Sequence, residues 1–288
     1  MGEVRTVGVV GLGAMGAGIA QLAIEAGYDT VGREVTSELG ETARGRIEHF
    51  LTRKVEKGTL AAEERAAAAG RLRLTTDLDE LSECDVVIEA IVEELDAKLA
   101  LFAELERIVR PGAVLATNTS ALSVTQIAAA VSTPERVVGM HFFNPAPLMP
   151  LVEIVRALRS SDEAVETAYE VGARMGKSPI RCHDTPGFVV NRILIPLLND
   201  CVRVLDEARV TPEDLDTAMK HGAGWPMGPC ELVDLVGIDV HVHASEALYE
   251  KLREPRMASP PRLVAMANAG QLGRKTGRGF YTYDSSEG

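Results

Sequence analysis

A short apolar strand pattern followed at once by three spaced glycines constrains the fold of this chain more than any other feature. Thr6–Val10 is apolar and β-branched, GLGAMG follows it, and the helical run GAGIAQLAIEAG comes next. The first glycine, Gly11, permits a tight turn. Gly13 lets the backbone approach a pyrophosphate closely, and Gly16 lets the helix pack closely on the strand. The helix start offers free N–H groups and a positive dipole end to an anion. The pattern predicts a dinucleotide-binding site; the alternative is a glycine-rich turn without a ligand.

Ala14 and Met15 belong to the same predicted loop, and the next acidic residue at the right distance is Glu34, in TVGREV. A carboxylate about 20 residues after the glycines binds the adenosine ribose hydroxyls in such sites. The alternative for Glu34 is a solvated loop charge. Arg33 would suit a 2′-phosphate, but Glu34 would repel one, so the sequence favours NAD and leaves NADP open.

Strand and helix patterns alternate through about the first 180 residues, which is typical of parallel βαβ units. The predicted strands are Thr6–Val10, Asp85–Ile88, Ala113–Thr117, Arg136–Met140 and Val152–Val155, and the predicted helices between them include Ala97–Val109 and Val124–Val131. A charged stretch, Thr42 to Gly70, has helical spacing broken at Gly58. It predicts a helical hairpin standing off the sheet.

After HDTPGF the strand patterns stop and broad apolar helical faces follow. We therefore predict an α/β fold with two domains. Residues 1–185 form a Rossmann-type dinucleotide-binding domain with a helical hairpin insertion, and residues 186–288 form an all-α domain.

The bulk properties exclude several partners. A net charge of −12 and a pI near 5.1 argue against nucleic acid, whose phosphates need a basic surface. The cysteines have no disulfide or zinc-ligand spacing, which fits a reducing, cytoplasmic setting without a metal. No apolar run reaches about 18 residues, so no membrane span is expected. The start MGEVRTVGVVGLGAMG also lacks the pattern of a signal peptide.

Seven motifs along the whole chain carry a family resemblance: VGVVGLGAMGAGIA, VVIEAIVEEL, ATNTSALSV, GMHFFNPAPLMPLVEIV, GKSPI, DTPGFVVNRIL and GRKTGRGFYTY. Their order and spacing resemble the L-3-hydroxyacyl-CoA dehydrogenases, and among them the single-function bacterial 3-hydroxybutyryl-CoA dehydrogenases. The resemblance implies NAD-dependent, reversible oxidation of a (3S)-3-hydroxyacyl-CoA, most simply a short-chain one, to the 3-oxoacyl-CoA. It also implies a homodimer formed through the helical domain.

His141 and Glu153 are the implied general base and its partner. Oxidising a secondary alcohol requires a base for the hydroxyl proton, which suits histidine, and a carboxylate on the other ring nitrogen fixes the tautomer and supports the imidazolium. His141 ends one predicted strand and Glu153 begins the next, so neighbouring strands can bring them together. Pairing would also explain two polar groups in apolar sequence. The alternatives are a structural histidine and a capping or surface carboxylate.

Ser120 and Asn191 complete the catalytic set that the resemblance implies. Ser120 closes TNTS after a predicted strand, where open α/β sheets bind ligands, and its hydroxyl would hold the substrate oxygen and the nicotinamide. The alternative is that Ser120 or Ser123 caps the following helix. Asn191 lies at the start of the first helix of the second domain, where an amide would stabilise developing oxygen charge. Its alternative is an exposed helical residue.

The remaining implied contacts are charged or amide side chains. Glu93, Lys98 and Asn144, and Lys275 in GRKTG, match cofactor contacts in the family. The hairpin residues Arg53, Lys54 and Lys57 form a basic cluster suited to the phosphates of coenzyme A, and Lys57 aligns best with a family contact. For all of these the alternative is a solvated charge.

Three other functions compete with this one. The first is a dehydrogenase of the same family that prefers NADP, or a carrier-protein thioester, to NAD or a CoA thioester. A β-hydroxyacid dehydrogenase also begins with GLGAMG but relies on a lysine near the domain junction, where this chain has HDTPGFVVNRIL. A non-catalytic nucleotide-binding relative need not keep His141, Glu153, Ser120 and Asn191 together.

Overall fold

The computed structural model describes residues 3–283. The chain divides into two compact units, Met1–Thr185 and Pro186–Gly288. The first is an α/β unit built on one sheet, and the second consists of helices and short turns, so the predicted fold class is confirmed.

Eight strands and six helices form the first unit. The strands are β1 Thr6–Val10, β2 Asp29–Arg33, β3 Leu72–Thr75, β4 Val86–Glu89, β5 Val114–Thr117, β6 Val137–Phe142, β7 Leu151–Arg156 and β8 Ser178–His183. The helices are α1 Ala14–Glu25, α2 Ser37–Glu56, α3 Ala62–Ala69, α4 Leu95–Ile108, α5 Val124–Ala128 and α6 Asp162–Arg174. Every predicted strand is present within two residues of its predicted ends.

The strands form a single sheet in the order β3-β2-β1-β4-β5-β6-β7-β8. The first six are parallel, in the strand order that dinucleotide-binding domains share. The chain reverses its direction across the sheet between β1 and β4, and the carboxyl ends of the strands on both sides of that point carry the glycine loop and TNTS. This is where open α/β sheets bind ligands.

The sheet differs from the prediction at one edge. β7 pairs with β6 in antiparallel register, because the link between them, residues 143–150, is too short for a crossover to a parallel strand. β3 and β8 were not predicted: β3 has only four residues, and β8 is an edge strand with exposed positions and a proline.

The helical hairpin is present but begins earlier than predicted. The Thr36 hydroxyl accepts a hydrogen bond from the Leu39 N–H and starts α2, and Gly58 with φ +69° follows its end. The prediction that the hairpin stands off the sheet is wrong, because Ile47 and Leu51 of α2 are buried in the same core as β1 and α1.

The second unit contains α7 Val190–Glu207, α8 Pro212–Gly222, α9 Pro229–Val236, α10 Ile238–Leu252 and α11 Pro261–Asn268. Buried carboxylates hold its last described segment. Asp234 accepts hydrogen bonds from the N–H groups of Phe280 and Tyr281, and Asp216 accepts one from the Tyr281 hydroxyl. Within residues 3–283, none of the helices is long and apolar enough to cross a membrane.

Candidate active site

The glycine loop has the geometry that a pyrophosphate site requires. Gly11 has φ +85°, a conformation that favours glycine, and its N–H donates to the Arg33 carbonyl at 3.0 Å. A Cβ on Gly16 would lie 1.7 Å from the Gly11 carbonyl oxygen, so only glycine fits there. At Gly13 a Cβ would meet no described atom within 4 Å, which leaves room for a phosphate beside the start of α1.

Glu34 lies directly after β2 and turns towards the glycine loop. Its Oε2 accepts a hydrogen bond from the Leu12 N–H at 2.8 Å, and its Oε1 accepts one from the Val35 N–H at 2.8 Å. Arg33 points elsewhere, with its Nε donating to the Thr76 carbonyl at 3.3 Å. A ribose at this position would therefore meet a carboxylate, which suits the diol of NAD.

His141 and Glu153 are directly opposite each other on β6 and β7. His141 Nδ1 lies 2.7 Å from Glu153 Oε2, and the two residues are 5% and 0% exposed. The carboxylate accepts the Nδ1–H, which makes Nε2 the ring nitrogen that would receive a proton. The adjacent Phe143 ring packs 4.4 Å from the imidazole, centre to centre.

A cavity of about 320 Å³ adjoins this histidine. Its lining includes five residues predicted from the sequence to be functional and five others: Met15, Ala90, Ile91, Glu93, Asn118, Ser120, His141, Phe142, Phe143 and Asn144. Glu153 lies behind His141 and is fully buried. The glycine loop, TNTS and the imidazole therefore face a common space within the first unit.

The TNTS turn is bound to the Glu93 carboxylate. Glu93 Oε1 accepts hydrogen bonds from the Thr119 hydroxyl at 2.6 Å and from the N–H groups of Ser120 and Ala121 at 2.8 and 3.2 Å. The Ser120 hydroxyl also lies 3.3 Å from this oxygen. Burial acts to raise the pKa of Glu93, but these hydrogen bonds and the Lys98 charge outweigh it and lower that pKa. Glu93 thus stays ionised and holds Ser120.

Ser123, rather than Ser120, caps the following helix. Its hydroxyl oxygen accepts from the Gln126 N–H at 3.2 Å and its O–H donates to Asp184 at 2.7 Å. The capping role considered for Ser120 therefore belongs to Ser123.

Sequence reasoning missed Glu89, the last residue of β4. It is fully buried, and its carboxylate accepts from Lys98 Nζ at 2.5 Å, from the Thr117 hydroxyl at 2.7 Å and from the Ile91 N–H at 2.7 Å. The sequence signal was a glutamate ending the apolar run VVIE.

Lys98 is buried, and its predicted contact with the cofactor stays a prediction. Its ammonium is buried beneath Glu93, and the residue is not among the described residues that line the cavity. It lies 3.4 Å from Glu93 Oε2, so its influence on the cavity passes through that carboxylate.

The predicted basic cluster lines a second cavity of about 400 Å³ between α1, α2 and the link from β6 to β7. Its lining is Ala14, Ala17, Gly18, Gln21, Arg46, Ile47, Phe50, Arg53, Lys54, Lys57, Asn144, Pro145, Pro147 and Leu148. Lys54 Nζ is paired with Glu25 at 2.5 Å. Arg53 and Lys57 supply further positive charge, and Asn144 lines both cavities.

Two predicted residues belong to the second unit. Asn191 is in the first turn of α7. Lys275 pairs with Asp239, Nζ to Oδ1 at 2.6 Å, next to Gly237. Within the second unit, therefore, Lys275 has a carboxylate partner of its own. The predicted contact of Asn191 with the substrate and that of Lys275 with the cofactor stay predictions.

Both units match the domains of one family. Residues 6–185 match the model "3-hydroxyacyl-CoA dehydrogenase, NAD binding domain", and residues 187–283 match the "3-hydroxyacyl-CoA dehydrogenase, C-terminal domain".

The relatives extend over nearly the whole chain. A 3-hydroxybutyryl-CoA dehydrogenase of Mycobacterium tuberculosis is 45% identical, over 97% of this chain and 99% of its own. One of Bradyrhizobium diazoefficiens is 41% identical, over 97% of this chain and 96% of its own. The crystal structure of (S)-3-hydroxybutyryl-CoA dehydrogenase from Ralstonia eutropha superposes with a TM-score of 0.95 at 38% identity, covering 98% of this chain and all of that one.

The predicted family, enzyme class and cofactor are thereby confirmed. The glycine loop and Glu34 provide the local geometry for that cofactor. The chain belongs to the 3-hydroxyacyl-CoA dehydrogenase family and is an enzyme whose cofactor is NAD.

Proposed function

We propose that this enzyme reversibly oxidises short-chain (3S)-3-hydroxyacyl-CoA, in particular 3-hydroxybutyryl-CoA, to the 3-oxoacyl-CoA. The observation that carries the proposal is the buried pair of His141 and Glu153, 2.7 Å apart, beside a cavity that also adjoins the glycine loop. The printed names of the relatives support the same substrate class.

His141 is the proposed general base. Its Nε2 takes the proton of the substrate hydroxyl, the electron pair of the broken O–H bond forms the C3=O π bond, and hydrogen leaves C3 as a hydride with the electron pair of the C3–H bond. Bound NAD would supply the acceptor for that hydride. Glu153 holds Nδ1–H throughout and stabilises the imidazolium that results. In the reverse direction His141 returns the proton to the oxygen.

Ser120 and Asn191 are proposed to act on the substrate oxygen. The Ser120 hydroxyl lines the cavity with His141, and the Glu93 carboxylate fixes the turn that carries it. A donor held in place before the reaction stabilises oxygen charge more effectively than a mobile one. Asn191 is included because it lies in DTPGFVVNRIL, one of the motifs that carry the family resemblance.

The second cavity is proposed to receive the coenzyme A portion of the substrate. Phe50 and Leu148 give it an apolar wall, and Arg53, Lys54 and Lys57 give it positive charge on an otherwise acidic chain. This combination suits a ligand with an apolar arm and phosphates. Lys57 is the proposed phosphate contact, because Lys54 is already paired with Glu25.

The predicted homodimer, the cytoplasmic setting and the absence of nucleic acid and membrane partners stay predictions. Exposed apolar side chains on helices of the second unit, including Ile193, Leu235 and Val240, are compatible with an interface there.

The test is to assay several 3-oxoacyl thioesters, each with NADH and with NADPH. Oxidation of the reduced cofactor is measured as the loss of its nicotinamide absorbance. We expect turnover with acetoacetyl-CoA and NADH, lower turnover with longer chains, and little with NADPH because Glu34 repels a 2′-phosphate. Preference for a carrier-protein thioester would support the alternative function within the family. Absence of turnover with every thioester, in enzyme that binds NADH, would support the non-catalytic alternative.

A further inference from the structure

A chain of buried charges connects the interior of the sheet to the turn that carries Ser120. Glu89 and Lys98 are 0% and 1% exposed and lie 2.5 Å apart, oxygen to nitrogen. The Ile91 N–H and the hydroxyl of Thr117, the first residue of the TNTS turn, complete the contacts of the Glu89 carboxylate, and Thr117 Oγ1 in turn accepts from the Thr119 N–H at 3.3 Å. The Glu89 carboxylate therefore accepts three hydrogen bonds, one of them from the Lys98 ammonium.

Lys98 bridges two carboxylates of different character. Glu89 is buried at the end of β4, whereas the Glu93 side chain is 37% exposed and lines the cavity. One Glu93 oxygen faces Lys98 at 3.4 Å, and the other accepts hydrogen bonds from Thr119, Ser120 and Ala121. Glu93 is thus placed between a buried cation and the TNTS turn.

This arrangement is poorly explained by stability alone. Removing two charges from water is costly, and an apolar pair of similar size is often as stable, whereas losing one partner leaves the other charge buried and uncompensated. Without the Glu89 charge, the Lys98 ammonium would have Glu93 as its only carboxylate partner among the described residues. Glu93 would then be drawn from the turn towards Lys98.

We propose that Glu89 is a positioning residue that acts through Lys98 to hold Glu93 against the TNTS turn, and so fixes the Ser120 hydroxyl. The expected effect on kcat rests on the proposed function. The expected effect on the TNTS turn does not, because it can be measured without substrate. Glu89 is fully buried and is not among the described residues that line the cavity, so it would act on the proposed catalytic residue Ser120 only through others.

The first experiment measures the turn directly, without substrate. In Glu89→Gln we expect the N–H groups of Ser120 and Ala121 to exchange hydrogen about tenfold faster than in the wild type, because their acceptor is displaced. The matched control is Glu106→Gln. Glu106 likewise accepts from the N–H and hydroxyl groups of a serine and a threonine, Ser132 and Thr133, but lines a different cavity. It should leave Ser120 exchange unchanged. Unchanged exchange in Glu89→Gln would overturn the proposal.

The second experiment is a kinetic cycle with acetoacetyl-CoA and NADH. Glu89→Gln should lower kcat about tenfold with little change in KM. In a Ser120→Ala background the same substitution should cost less than about twofold, because its target is gone. Equal losses in both backgrounds would show that Glu89 acts independently of Ser120 and would overturn the proposal.

A second pair of variants covers the case in which Glu89→Gln does not fold. Lys98→Met removes the bridge, and Glu89→Gln with Lys98→Met leaves no stranded ammonium. If Glu89 acts through Lys98, adding Glu89→Gln to Lys98→Met should change kcat less than about twofold. A further tenfold loss would show that Glu89 acts on the turn through Thr117 instead of Lys98, and would overturn the proposal. If the wild type turned over no thioester while the exchange result held, the proposed function would fail and this inference would stand.

Discussion

At the residue scale, the buried charges of the first unit are few and each has specific partners. His141 with Glu153 and Lys98 with Glu89 are buried, where an unpaired charge would be costly. The first pair adjoins the cavity directly, and the second reaches it through Glu93. Both of these pairs therefore adjoin the proposed reaction site, one directly and the other through Glu93.

Glu153→Gln tests the carboxylate as a charge rather than as a hydrogen-bond acceptor. Glutamine can still accept the His141 Nδ1–H, but it does not stabilise the imidazolium. We expect kcat to fall about 10²-fold, with NADH affinity and Tm nearly unchanged, measured by steady-state kinetics, fluorescence titration and thermal melting. A kcat within twofold of wild type would argue against electrostatic support by Glu153.

The positions of these residues were predictable to different degrees. His141 and Glu153 could be paired because each adjoins the same short link, which forces adjacent strands. The pairing of Glu89 with Lys98 could not, because it joins a strand end to a helix across a loop and gives no periodic signal. Their contact exists only once α4 packs over the sheet.

At the scale of elements, the link between β6 and β7 depends on one buried lysine. Lys177 Nζ donates to the carbonyls of Ala146 at 2.6 Å and Met149 at 3.0 Å, and the side chain is largely buried. Burial, with the nearby Lys54 charge, lowers the pKa of Lys177. The same link carries Asn144, which lines both cavities.

Lys177→Met should therefore loosen the link. Two carbonyls lose a charged donor, so we expect a loss of about 3 kcal/mol in the free energy of unfolding and a several-fold rise in KM for acetoacetyl-CoA. Urea unfolding and steady-state kinetics measure the two effects. Lys177→Arg keeps the donors and should recover part of both; an unchanged KM in Lys177→Met would separate this link from substrate binding.

The elements with strong periodic signals were predictable, and the weak ones were not. Thr6–Val10 was predicted to the residue because its β-branched run ends in glycine. β3 lacks that signal because it has only four residues, and β8 lacks it because none of its six positions is fully buried. The burial of α2 was missed because its charged surface hides the narrow stripe formed by Ala43, Ile47 and Leu51.

At the scale of the whole molecule, stability in acid should depend on a histidine of the second unit that has no proposed catalytic role. His241 is buried, and its Nε2 lies 2.9 Å from Asn199 Oδ1. The Asn199 amide nitrogen donates to Ser245 and to main-chain carbonyls, so its oxygen is the acceptor and His241 the donor. Burial lowers the pKa of His241 from its ordinary 6.5 to about 4.

The sign of the pH effect follows from that pKa. Above pH 6.5 His241 is neutral in both states and has no effect; between pH 6.5 and 4 the unfolded chain binds a proton that the folded chain does not, so stability falls as pH falls. The loss is roughly 3 kcal/mol by pH 4. Urea unfolding across this range should show a shallower pH dependence in His241→Gln. An identical slope in the two proteins would contradict the assignment.

Proton transfer by His141 is tested most directly by the turnover of His141→Gln with acetoacetyl-CoA and NADH. His183→Gln, at the exposed end of β8, is the matched control and should behave as wild type. We predict that kcat of His141→Gln falls about 10²–10⁴-fold while the Kd for NADH stays within twofold. A His141→Gln enzyme that binds NADH normally and keeps near wild-type kcat would contradict the account.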